Sequence, residues 1–139
     1  MSPRRRTRGA STSLEFALVL PLIISFLLGS VEYGVYFNNL TDLHDASRQA
    51  GRVAAGTSVD DDPAAVYATE LDGLMTNRGI AIGPAWGPPT VQAQVTGDAP
   101  FRVLETDVGV PYQGVTGLVP HPQQFRVIKS FRLEDQVAD

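Results

Sequence analysis

No cysteine occurs in the 139 residues, which removes disulfide frameworks, thiol nucleophiles and cysteine metal sites together. Histidine is nearly absent too. His44 falls in a charged stretch with helical spacing and His121 in a Pro-His-Pro loop, and neither has an acid or nucleophile at a distance that catalysis uses. Glycine-rich phosphate loops are missing. The acidic run Asp60-Asp61-Asp62 lacks the alternating oxygen ligands and closing glutamate of a calcium loop. No catalytic residue, cofactor or metal is therefore expected. Basic charge is scarce after the first few positions: Arg4, Arg5, Arg6 and Arg8 precede Gly9, leaving seven Lys and Arg against 15 Asp and Glu. That acidic remainder excludes a nucleic-acid groove.

What the chain does contain is concentrated at its start. Four arginines are followed by a small polar hinge, one carboxylate at Glu15, and an apolar run from Phe16 to Val31 that Tyr33 to Phe37 extends past Glu32. Such a run is long enough to cross a bilayer core of about 30 Å, and the clustered arginines hold its N-terminal side in the cytoplasm by the positive-inside bias. Residues 1–9 are thus expected to be a basic cytoplasmic leader and residues 10–37 a transmembrane helix in contact with the lipid bilayer, with Tyr33 and Tyr36 in the outer interfacial belt. A removable signal peptide would end in small residues near the run's end, and Gly29-Ser30-Val31-Glu32 lacks that pattern. Pro21, inside the helix, cannot bond Ala17 and is expected to kink or loosen it there.

Helical spacing continues beyond the membrane through Tyr36, Leu40, Leu43, Ser47, Ala50 and Ala54. One helix from about Ser11 to Ala55 would measure roughly 65 Å, about twice the bilayer core. Residues 38–56 then form a stalk outside the membrane. Small residues recur on it every four positions, as Ala46, Ala50, Ala54 and as Ser47, Gly51, Ala55, which lets another backbone approach; the expected occupant is the chain's own sheet. Residues 57–139 read as a small α+β domain. Asp62 and Pro63 start a short helix with Val66, Tyr67, Leu71, Leu74 and Met75 inward, ended by Asn77 and Gly79. Three strands follow: Val91 to Val95; Phe101 to Val110, which Pro111 stops or confines to an edge; and Gln124 to Leu133. The fold class is α+β, a membrane-spanning helix continuing as a stalk on an antiparallel sheet of about three strands with one extra short helix.

Arg8-Gly9-Ala10-Ser11-Thr12-Ser13-Leu14-Glu15-Phe16 combines unobstructed backbone on the cytoplasmic face with an acid just below it. It is a candidate protease substrate. Cleavage there would leave an α-amine a few residues from Glu15, and in a bundle the amine of one subunit could meet the Glu15 of its neighbour. These residues, with LLGSVEYGVYF (Leu27 to Phe37) and DASRQAGRVAAG (Asp45 to Gly56), resemble the TadE-like pseudopilins, minor pilins of the Tad (Flp) type IV pilus systems. The resemblance implies a pilin-like fold, no enzymatic activity, and cleavage by a membrane-embedded prepilin peptidase. It also implies partnership with other minor and major pilins and an inner-membrane assembly platform, in an assembly, initiation or tip complex. Gly9, with Ala10 and Ser11, matches the processing site, Glu15 the acid of the mature helix, and Phe16 the aromatic after it. A cut after Gly9 makes Glu15 the sixth mature residue; a cut after Ala10 makes it the fifth, the family's usual spacing. The expected location is a single-pass cytoplasmic membrane protein, N-terminus in and domain outside. The alternative is a membrane-anchored ligand- or partner-binding domain unrelated to pili.

Overall fold

The computed structural model describes residues 7–58, 61–81, 83–98 and 100–133, with side chains from residue 12 onward. Its elements are α1 (Thr7–Ala55), α2 (Pro63–Arg78), β1 (Thr90–Thr96), β2 (Val103–Pro111) and β3 (Gln124–Arg132). The helix α1 has 49 residues, so it extends for about 73 Å at 1.5 Å per residue. It passes through Pro21 without interruption, and the Ser25 hydroxyl donates to the Pro21 carbonyl at 2.8 Å. Asp62 caps α2 by accepting from the N–H groups of Ala64 and Ala65, with Pro63 at the first helical position. At the other end Gly79 is left-handed (φ 66°), and the Ile80 N–H closes onto the Met75 carbonyl at 2.9 Å.

The three strands form an antiparallel meander in the order β1-β2-β3. Pro111 ends the central strand, where it interrupts no further ladder bond. Period-two alternation makes the inner face: the register aligns Val91, Val108 and Val127 in one row, Ala93, Thr106 and Lys129 in the next, and Val95, Leu104 and Phe131 in a third. Against this face lie Leu43, Ala46, Ala50 and Ala54 of α1 and Tyr67, Leu71 and Met75 of α2, all buried. Tyr67 shares a 2.8 Å hydrogen bond with Ser47, so the two buried hydroxyls partner each other. Lys129 points inward as well. Its ammonium donates to the His44 carbonyl at 2.6 Å, and burial pushes its pKa down. The outer face is polar apart from the exposed Ile128, with Gln92, Gln94, Glu105 and Ser130, and with Arg126 paired to Asp107.

The contacts along α1 set the direction of the domain. Phe125 meets Tyr36, Lys129 meets His44, and the Phe131 ring lies over Gly51. β3 therefore runs alongside the outer half of α1 in the same direction, and the β2–β3 connection returns to the level of Glu32. Tyr36 is not at an exposed belt position: it is 8% exposed, packed between Tyr112 and Phe125. The domain reaches further down the helix than hydropathy indicated, because the β2–β3 loop folds back onto it.

Candidate functional site

Two regions of α1 carry chemistry that the fold leaves available, and they differ sharply. From residue 12 to residue 27 every side chain is exposed, including Phe16 (60%), Leu18 (73%), Leu22 (72%) and Phe26 (75%). A run of that size has no place in water. It is the one helix among the described residues long and apolar enough to cross a membrane. Glu15 and Phe16 lie on this exposed surface. Arg8, Gly9, Ala10 and Ser11 lie in the first turns of α1, where only the backbone is described, and Arg4, Arg5 and Arg6 fall outside the described residues. Sequence-expected processing and packing residues thus occupy opposite parts of the helix. Ala46, Ser47, Ala50, Gly51 and Ala54 are buried beneath the chain's own domain, with Ala55 half-buried beside them.

Glu32 marks the junction between the two regions. It is only 1% exposed, and the β2–β3 loop delivers the groups that surround its carboxylate. The Tyr112 hydroxyl donates to Oε1. The Val115 N–H lies 2.8 Å from Oε1, the Thr116 N–H lies 2.8 Å from Oε2, and the Thr116 hydroxyl donates to Oε2 at 3.0 Å. Successive backbone N–H groups form a concave nest for an anion, and here the anion is supplied by the chain itself. No lysine or arginine pairs with this carboxylate among the described residues. Its charge is met by oriented donors, an arrangement that offsets burial only while all of them stay in place.

The loop is shaped for that purpose. Gly114 has φ 86°, and a Cβ there would lie 2.7 Å from His121 Nε2 and 3.0 Å from Glu32 Oε1. Only glycine leaves room for the carboxylate. Below the nest an aromatic cluster holds Tyr112: Trp86 lies tilted against it at 4.4 Å, His121 meets it edge-on at 5.1 Å, and Tyr36 lies 5.3 Å away. Burial, followed by the Glu32 carboxylate, raises the Tyr112 pKa well above that of an ordinary phenol. A second tie lies one turn below Tyr36, where the Tyr33 hydroxyl donates to the Pro120 carbonyl at 2.8 Å.

Nothing in this arrangement pairs a nucleophile with a base. Thr116 is a donor to a carboxylate that already accepts from three other groups, and His121 turns Nδ1 toward the Pro122 carbonyl. No group of three or more His, Cys, Asp or Glu suited to a metal occurs among the described residues. The geometry fastens a loop to a helix. Sequence reading did not find this role for Glu32, which stood out only as the single charge interrupting an apolar run. The one signal was the glycine-rich segment from Gly114 to Gly117, whose backbone donors carry no side-chain signature.

A protein-family model described as TadE-like protein matches residues 10–52. That is less than a third of the chain, and it ends before α2 and every strand. No curated protein and no solved structure matches. The matched residues begin at the sequence-expected processing site and include Glu15, Phe16, Glu32 and most of the small-residue stripe.

Proposed function

We propose that this chain is a minor pilin-like subunit of a Tad (Flp) type IV pilus system, cleaved after Gly9 or Ala10 by a prepilin peptidase. The N-terminus faces the cytoplasm and the domain lies outside. The observation that carries this reading is the division of one helix. Within the family match, the half bearing Glu15 is largely exposed and almost entirely apolar, and the other half buries one face in the chain's own domain. Thr12 to Val31 is 20 residues, about 30 Å of helix, which equals a bilayer core. A mere anchor has no use for a carboxylate at its cytoplasmic end, where desolvation costs a few kcal/mol. In a bundle of such helices Glu15 receives the α-amine of a neighbouring subunit, and the pair fixes the register between them.

The buried stripe narrows where neighbours can bind. With Ala46, Ala50, Ala54 and Gly51 already covered, contacts with other pilins fall to the exposed run below Glu32 and to the outer face of the domain. Glu15→Ala tests the reading in cells. Insertion into the membrane should be unchanged, and the amount of this protein recovered with the major pilin or the assembly platform should fall about tenfold or more, as expected for loss of a buried ion pair. Undiminished recovery of the variant would contradict the register role.

A further inference from the structure

The β2–β3 loop does more than cover Glu32. Its tip continues down α1, so that Leu118 and Val119 form an apolar groove with Ala17, Leu20, Pro21, Ile24 and Leu28. Leu118 is 77% exposed and Val115 49% exposed, large apolar surface for a loop tip. Leu118 stands beside helix surface that is itself apolar and largely exposed. We infer that residues 115–119 are a second membrane contact, a loop whose apolar tip enters the bilayer leaflet on the domain's side and sets the tilt of the domain against the membrane. The inference rests on the reading of α1 as a membrane-spanning helix.

Three observations favour lipid as the occupant. First, the groove is continuous with the exposed run, whose surroundings are acyl chains if α1 spans; Leu118 lies alongside Pro21 to Leu28, below the level of Glu32. Second, irregular backbone tolerates the edge of a bilayer only when its polar groups are satisfied. The Val115 and Thr116 N–H groups are taken by Glu32, the Leu118 N–H reaches the Thr116 hydroxyl at 3.4 Å, and Pro120 has no N–H. Among the described residues the N–H groups of Gly117 and Val119 have no acceptor, and they are left for water or ester oxygens at the interface. Third, no residue from Gly114 to Val119 is charged, so no side-chain charge in the tip opposes entry. The clamp at Glu32 and the Tyr33 tie hold the tip at one depth.

The absence of native cysteine allows single thiols to be placed for labelling. Full-length Ile24→Cys, Leu118→Cys and Ile128→Cys would each carry an environment-sensitive fluorophore in phosphatidylcholine vesicles, with or without brominated acyl chains. Ile24 reports the span, and Ile128, 67% exposed on the outer sheet face, reports the domain away from lipid. Brominated lipid should remove most of the emission at positions 24 and 118 and leave position 128 unchanged. Quenching at 24 with none at 118 overturns the loop contact while leaving the spanning helix intact. No quenching at 24 overturns the spanning reading and the loop contact with it. Disulfide capture of a second copy by unlabelled Leu118→Cys, together with absent quenching at 118, also overturns it and assigns the groove to a neighbouring subunit.

Discussion

Glu32→Ala should destabilise the outer domain by about 3 kcal/mol, because it leaves two part-buried backbone N–H groups and two hydroxyls without their acceptor. The effect comes from the orphaned donors more than from the lost carboxylate. Each unsatisfied buried donor costs roughly 1–3 kcal/mol, and water reaching the opened loop offsets part of the sum. Glu32→Gln keeps the shape but turns an amide NH2 group toward at least one N–H, so it should cost about 2 kcal/mol. Trp86 packs against Tyr112, the first residue of the clamp, so its emission should follow loop release. Denaturant titration of the full chain in detergent micelles, read by Trp86, gives both quantities. Midpoints equal to that of the unsubstituted chain would show that the loop does not depend on Glu32.

Gly51→Val should be comparably damaging, at about 3 kcal/mol, for a reason unrelated to charge. A Cβ at Gly51 would lie 2.1 Å from Phe131 Cζ and 2.4 Å from two further ring carbons. The ring is packed against the core and touches Tyr67 at 6.3 Å between centroids. It cannot yield without moving β3 away from α1, and overpacking of this kind costs roughly 1–3 kcal/mol, more for a branched side chain. Gly73 is the internal control. It lies in α2 with nothing within 4 Å of an added Cβ, and Gly73→Ala should stabilise by about 0.5–1 kcal/mol through helix propensity. Shifts of opposite sign at the two positions separate a close helix–sheet approach from a general intolerance of helix substitution. A neutral Gly51→Val would mean that α1 and β3 are not in contact as described.

Much of this architecture is written in local patterns. The 3.6-residue spacing through Leu43, Ala50 and Ala54, the Asp62-Pro63 start and Gly79 stop of α2, and the alternation in β1 and β3 each depend on neighbours in sequence. Small side chains on the stalk signalled a close approach, and Gly51 beneath Phe131 makes one. Tyr36 and Glu32 were harder to place. Hydropathy put Tyr36 at the membrane surface because aromatic residues after an apolar run have that tendency, but long-range packing from Phe125 and Tyr112 covers it. Glu32 takes its hydrogen bonds from backbone groups 83 and 84 residues away, and a backbone N–H is the same in every residue type except proline. Glu15 stands differently again. Its proposed partner would come from another subunit, so neither one sequence nor one folded chain contains it.

The family match over residues 10–52 and the exposed helix support the central proposal of a processed pilin-like subunit, and the intact mass of the chain extracted from its native membrane tests it most directly. The expected mass corresponds to a mature protein beginning at Ala10 or Ser11, with Arg4, Arg5, Arg6 and Arg8 removed together. A membrane-bound chain that still carries residues 1–9 would contradict it.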